Sequence, residues 1–220
     1  MVKELEYVLN KFNLTPAQRG GTPIHEVNRT IMAKLLKELN YKVGAEVGVA
    51  QGWHADMLCK ENPEAKLYAI DVWDKYEGYN EYRDRIDRYY EATKKLLADK
   101  NAVIVKKFSM DAVKDFKDGE LDFVYIDGAH DFKNVAMDIC EWSKKVRIGG
   151  MVFGHDYKRW KAGGANVGKK YVVDVKDVVQ AFMYAKGINP WFELHNGIVD
   201  PFFGRDNPAW MFIRQEKDLI

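Results

Sequence analysis

The chain has 220 residues, 47% of them hydrophobic and 30% charged, with a formal net charge of +1. That length suits one α/β domain with decorations and supplies a sizeable core. The near-neutral balance argues against a general nucleic-acid binder or a polybasic membrane binder, and no apolar run approaches the roughly 18 residues of a spanning helix.

The N-terminus, MVKELEYVLNKF, lacks the apolar centre of a signal peptide, so a cytosolic location is the default expectation. Leu5, Val8, Leu9 and Phe12 fall at helical spacing within Val2–Phe12. This predicts a short amphipathic helix, which could serve as a homodimer contact. Asn13–Pro23 is rich in breakers, with Pro16, Gly20-Gly21 and Thr22-Pro23. It reads as a packing arm, a dimer contact or a segment closing over a cofactor. A second helix is expected from about Ile24 to Leu39, with Ile31, Leu35, Leu36 and Leu39 inward. Residues 1–40 thus form a helical extension to a core spanning 41–220, in one domain.

The first core strand is expected over Lys42–Val49, turning at Gly52 into a helix over Trp53–Glu61. Glu46, Gly48 and Gly52 make an acid-x-G-x-x-x-G pattern at that turn. Glycines there let backbone approach a ligand, and the helix N-terminus favours negative charge. The next strand, Ala65–Ile70, ends in Asp71, 19 residues beyond Gly52. An acid at that offset suits hydrogen bonding to ribose hydroxyls, though a helix cap is the alternative. Trp73–Lys100 is longer than a crossover needs and rich in aromatics. Trp73, Tyr76 and Tyr79 either pack on the sheet or wall a substrate pocket, and Asn80–Asp99 reads as a long charged helix. A strand over Ala102–Lys106 leads into Phe108-Ser109-Met110-Asp111, where a purine ring could lie, and a short helix to Phe116.

The most informative stretch runs from Leu121 to Tyr157. Two buried-strand runs, Phe123–Ile126 and Met151–Phe153, flank a helix-length segment. That β-α-β unit makes the strands parallel neighbours. The first ends in Asp127 with His130 just beyond, and the second ends in His155-Asp156. Strand ends lie only about 5 Å apart, so two carboxylates and two imidazoles converge at the edge where open α/β sheets bind ligands. Turn and cap chemistry explains such residues singly; the convergence points to metal or proton chemistry. Beyond it lie a basic, glycine-rich loop (157–171), a helix over Val172–Lys186, and closing strands at Trp191–His195 and Ala209–Arg214. Cys59 and Cys140 lack CxxC spacing and read as reduced, structural thiols. His25 and His195 read as structural or surface residues. His54, just inside the helix after the glycine turn, might touch a cofactor carboxylate.

Taken together, Glu46-Val47-Gly48-Val49-Ala50-Gln51-Gly52, Asp71 and the closing strand pair resemble the class I S-adenosylmethionine-dependent methyltransferases. The resemblance implies a Rossmann-like three-layer sandwich around a seven-stranded mixed sheet whose last strand is antiparallel. YIDGAHDF and GGMVFGHDY resemble, more narrowly, the macrocin-type sugar O-methyltransferases. On that resemblance Asp127 and Asp156 would hold magnesium and His130 would be the general base. His155 departs from the acid that some relatives carry; it either joins the metal set or caps its strand. Magnesium prefers oxygen donors, whereas imidazole suits later transition metals. S-adenosylmethionine would contact Glu46, Gly48, Gly52, Asp71, Ser109, Met110 and Asp127, and the acceptor would be a small molecule bearing a hydroxyl, such as a sugar or diol. Two rivals stand beside this reading. A nicotinamide oxidoreductase would want G-x-G-x-x-G in place of G-x-x-x-G, and a non-catalytic nucleoside-binding module would keep the pocket alone.

Overall fold

Short apolar runs, too brief for helices, build a single large sheet. The computed structural model describes residues 1–76, 85–161 and 172–220. In chain order the elements are α1 (Lys3–Lys11), β1 (Thr22–Ile24), α2 (Arg29–Glu38), β2 (Val43–Val47), α3 (Trp53–Glu61), β3 (Lys66–Asp71), α4 (Ile86–Leu97), β4 (Ala102–Lys106) and α5 (Ser109–Ala112). Then come β5 (Leu121–Ile126), α6 (Phe132–Lys145), β6 (Val146–Gly154), β7 (Trp160–Lys161), β8 (Val172–Val173), α7 (Val175–Ala185), β9 (Phe192–Leu194) and β10 (Ala209–Ile213). Eight strands are ordered β1-β9-β10-β6-β5-β2-β3-β4, and β7 and β8 form a separate small ribbon. Every neighbour in the large sheet is parallel except β10, which runs antiparallel to both β6 and β9.

The expected antiparallel last strand is therefore present, and the sheet gains an eighth strand. β1 comes from the breaker-rich arm and pairs in parallel with β9. Thr22 and Ile24 point inward while Pro23 faces out, an arrangement an edge strand tolerates because the missing N–H faces solvent. The second helix starts at Arg29, not Ile24, because Asn28 caps it by accepting from the Ile31 N–H at 2.8 Å. Likewise Val172 and Val173 pair as β8 before α7 begins. Only the Ile86–Leu97 part of the long charged helix is described; residues 77–84, with Tyr79 and Tyr82, and most of the basic loop (162–171) lie outside the described residues.

Alternation along the central strands divides the core into two layers. Phe123 and Tyr125 of β5 pack with Leu5, Leu36 and Leu58 of α1–α3. Val124 and Ile126 pack on the other face with Val135, Ile139 and Trp142 of α6 and Val179 of α7. This is the expected three-layer sandwich. Leu5 and Val8 of α1 are fully buried within the chain. Both cysteines are free, and burial raises the Cys59 thiol to about 12, as an inert structural thiol requires. No described helix is long and apolar enough to cross a membrane. Connections from β2 run outward through β3 to β4, whereas β5 and β6 lie on the other side of β2. The order reverses between β2 and β5, and a crevice opens at their carboxyl ends.

Candidate active site

A cavity of about 770 Å³ occupies that crevice, within the size range of small-molecule sites. Of the residues expected to meet a cofactor, Glu46, Gly48, Asp71, Ser109, Met110 and Asp127 line it, as do His54, His130, His155 and Asp156. Gly52 does not; it caps α3 at φ 83°.

The glycine turn is fastened by the Asp71 carboxylate and the Trp73 indole. Asp71 accepts from the Ala50 N–H at 2.8 Å and the Trp73 N–H at 3.2 Å. The indole N–H of Trp73 donates to the Ala50 carbonyl at 2.7 Å, so Trp73 packs and does not wall a substrate pocket. Ala50 and Trp73 hold positive φ angles of 50° and 37°, a cost that these bonds offset. Gly48 has φ 91°, and a Cβ there would overlap the Asp127 carbonyl. At Gly52 a Cβ would lie 2.9 Å from Thr93 Oγ1. The glycines are thus needed chiefly because protein backbone approaches protein, which corrects the expectation that ligand approach sets the requirement. Burial raises the pKa of Asp71, and the backbone N–H groups around it pull the other way.

Beneath the turn, Glu46 and His54 are 1% and 6% exposed. His54 Nδ1 lies 3.3 Å from Glu46 Oε1, and its ring lies over Tyr125 with centroids 4.2 Å apart. Burial, reinforced by Asp127 and Asp71, pushes the Glu46 carboxyl well up; burial and Arg29 hold His54 well down. Glu46 Oε2 and Tyr125 Oη are buried and make no hydrogen bond among the described residues. A polar group entering the cavity would satisfy Glu46, which fits the amino-acid end of a nucleoside cofactor.

Beyond β4, Ser109 lies at the start of α5. Its hydroxyl accepts from the Trp142 indole at 2.8 Å and donates to Asp138. Tyr76 meets Phe108 edge-on, with centroids 5.2 Å apart.

The reaction corner is ionic. Register places Ile126 beside Gly154, so Asp127 and His155 emerge as neighbours. Asp156, at φ 51°, turns the chain back into the site. His130 Nε2 lies 3.0 Å from Asp156 Oδ2 and 3.6 Å from Asp127 Oδ1. His155 Nδ1 is 3.5 Å from Asp156 and 3.7 Å from Asp127. His155 Nε2 is 2.9 Å from both Asp206 Oδ1 and Arg29 Nη2. A single ring nitrogen cannot donate to one and accept from the other. The three carboxylates around the ring favour the N–H facing Asp206, with Arg29 forked onto Asp206 instead. Burial pulls both imidazoles down, but the carboxylates outweigh it, raising His130 to about 10 and His155 to about 9. In return Asp127, Asp156 and Asp206 are held below the usual carboxylate range against the opposing effect of burial. In this arrangement the two carboxylates hold His130 toward its protonated form. A positive charge near Asp127 and Asp156 would return it toward a base.

Asp127, His130 and Asp156 offer ligand atoms all within 4.8 Å of one another. Two oxygens and one nitrogen fit a divalent cation with open positions. His155, expected in the metal set, has Nε2 against Asp206. Asn207 donates to Asp156 at 2.6 Å, and the Lys158 ammonium lies 3.2 Å from it.

Sequence reasoning missed Arg29, Asp138, Asp206 and Asn207. Arg29 and Asp206 are 177 positions apart and meet only through the fold, so no local pattern announces them. Asp138 had a readable signal: a lone acid at a position otherwise facing the core. His25 and His195 stack with centroids 4.9 Å apart, and neither lines the cavity.

Several solved structures share this fold. An O-methyltransferase from Bacillus cereus bound to SAH is 15% identical, with a TM-score of 0.58 over 97% of this chain and 92% of that one. TomG from Streptomyces achromogenes, an O-methyltransferase of tomaymycin synthesis solved with SAM, is 12% identical, with a TM-score of 0.57 over 97% and 91%. The N-methyltransferase NodS from Bradyrhizobium japonicum is 15% identical, with a TM-score of 0.53 over 86% and 93%. No curated protein matches. Residues 45–157, from the third position of β2 past the His155-Asp156 pair, match the methyltransferase-domain family. The chain belongs to that family, and its fold is that of the class I S-adenosylmethionine-dependent methyltransferases.

Proposed function

We propose that the protein methylates a hydroxyl of a small sugar or diol-like molecule, with S-adenosylmethionine as donor and a divalent cation as assistant. The observation that carries this is the convergence of Asp127, His130 and Asp156 in the same cavity as the glycine turn and Asp71. Asp71 would take the ribose hydroxyls and Glu46 the amino-acid end of the cofactor. The bound cofactor supplies an electrophilic methyl group. A cation held by Asp127 and Asp156 would favour the deprotonated form of an acceptor hydroxyl, as Lewis acids do. With the cation offsetting both carboxylates, His130 would return to its neutral form and receive that proton. Alignment of the acceptor by the surrounding walls is worth up to about 7–11 kcal/mol. The family comparison disfavours the nicotinamide rival.

The test combines calorimetry with S-adenosylhomocysteine and methyl transfer to a panel of sugars, vicinal diols and catechols, with and without EDTA. Binding together with EDTA-sensitive O-methylation supports the reading. Turnover that survives EDTA removes the cation, and tight binding with no turnover on any hydroxyl or amine leaves a binding module.

A further inference from the structure

A second cavity, of about 280 Å³, opens beside α3. Trp53 and Met57, four positions apart and so on one face of that helix, form one wall, and Phe202 and Phe203 form another. The two phenylalanines sit in a tight turn between β9 and β10, where Asp200 and Gly204 exchange backbone hydrogen bonds of 2.9 Å. The buried Asp200 carboxylate accepts from the N–H groups of Phe202 at 2.8 Å, Phe203 at 3.1 Å and Thr30 at 3.0 Å. That ties the turn to α2 and fixes the backbone that carries both rings. The walls are apolar, yet Trp53 is 58% and Phe202 70% exposed. Asp56 and Lys60, the charges beside them, are paired with each other at 2.6 Å. Aromatic faces held open to water around a concavity suit an apolar ligand group. Trp53 and Phe203 also line the reaction cavity, so the two spaces adjoin. The Arg29 guanidinium lies over the Phe203 ring, 4.9 Å from its centroid, and Arg29 Nη1 is 3.7 Å from Asp127. One side chain thus separates the Phe203 ring from the reaction corner. At its size the second cavity falls short of a complete small-molecule site and suits one part of a ligand that extends into its neighbour.

We propose that the acceptor is a hydroxyl compound bearing an apolar substituent, a ring or a short alkyl chain, which lies between Trp53, Met57 and Phe202 while the hydroxyl passes Phe203 to the reaction corner. This rests on the methyltransferase reading and narrows its acceptor from a bare sugar or diol to an aryl- or alkyl-substituted one. A second copy of the chain or a lipid surface would also cover Phe202. Neither accounts for a concave space that shares two walls with the reaction cavity. Phe202 lines the second cavity alone, so its effect falls on acceptor binding and not on the transfer step.

The experiment follows the Trp53 indole N–H signal by nuclear magnetic resonance while the protein, mixed with S-adenosylhomocysteine, is titrated with two matched pairs: methyl and phenyl glucoside, and catechol and phenylcatechol. In at least one pair the phenyl member should bind about tenfold to a hundredfold more tightly, the range for covering one ring, and should move the Trp53 signal. In Phe202→Ala that preference should fall to near unity, mostly through weaker binding of the phenyl compound. Phe202→Leu, which keeps an apolar side chain, should retain part of it. Phe202 is exposed and its turn is held by backbone bonds, so both variants should fold, as circular dichroism will check. Where a pair is methylated, the same contrast should appear in KM and not in kcat. Equal affinities within both pairs, or no binding by either phenyl compound, overturn the proposal. So does a preference that survives Phe202→Ala, or binding that leaves the Trp53 signal in place. Equal affinities together with a dimer, or with binding to phosphatidylcholine vesicles, that Phe202→Ala abolishes would overturn it in favour of a second copy or a lipid surface. Failure of S-adenosylhomocysteine to bind, read separately by calorimetry, strikes the methyltransferase reading itself and is a different result.

Discussion

At the glycine turn, Asp71, Ala50 and Trp73 are joined by contacts between residues 2 to 23 positions apart, and every bond has backbone on at least one side. At the reaction corner, Arg29, Asp127, His155 and Asp206 come from four distant segments and meet through charged side chains. The first region holds its shape with hydrogen bonds between backbone and side chains, around the single carboxylate of Asp71. The second depends on mutual compensation: three carboxylates keep two imidazoles protonated, and the cations keep the carboxylates ionised. Removing one partner of such a set leaves the others buried and unpaired. One end of the cavity is a rigid cradle, whereas the other can be retuned by any charge that enters it. A reaction that moves a proton needs that second property.

The sharpest probe of this contrast is His130→Ala. Turnover should fall by about 10²–10⁴-fold, the usual contribution of a positioned base, while calorimetric affinity for S-adenosylhomocysteine stays nearly unchanged. Lost cofactor binding would mean that the two ends are not separable. Next, Arg29→Met should cost about 3–5 kcal/mol in urea unfolding, because Asp206 and Asp127 lose a largely buried cation whose side chain is only 15% exposed. A cost below 1 kcal/mol would show that the corner does not depend on compensation.

A smaller effect separates the two jobs of a left-handed glycine. Gly48→Ala combines a positive-φ cost with overlap on the Asp127 carbonyl, about 2–5 kcal/mol together. Gly187→Ala has φ 64° and open space, so only the conformational cost of about 1–2 kcal/mol applies. Equal losses in chemical denaturation would remove the close-approach argument for Gly48.

The mildest test concerns Asp138, raised by burial from 3.8 to about 6. Between these values the folded state binds the proton more tightly than the unfolded chain. Stability is therefore retained below about pH 4 and declines as pH rises toward 6. Relative to the wild-type protein, Asp138→Asn should become more stable across that window, on the order of 2–3 kcal/mol, and the difference should level off above it. Urea midpoints at pH 4, 5, 6 and 7 give the curve; a flat difference would place Asp138 in an ordinary aqueous environment.

Much of this fold could be read from the chain because its signals are local. Apolar runs such as LDFVYI and MVFG mark buried strands, glycines mark the turn, and Asn28 and Asp131 cap helices within three residues of themselves. Chain order alone brings Asp127, His130, His155 and Asp156 to one edge, because a right-handed crossover leaves little choice about which strand ends are neighbours. β1 escaped notice because three residues with a central proline carry almost no periodic signal, and β9 supplies the pairing that makes them a strand. Protonation states escaped for a related reason. Nothing beside His130 in sequence other than Asp127 raises its pKa; the second carboxylate arrives on another strand, and burial is a property of the whole core. The sequence determined which elements form and which strand ends carry reactive groups, since backbone propensity and patterning act over a few residues. The tertiary structure alone decided which charges face one another, because Coulomb and desolvation energies depend on distance and burial in space, with no regard for position along the chain.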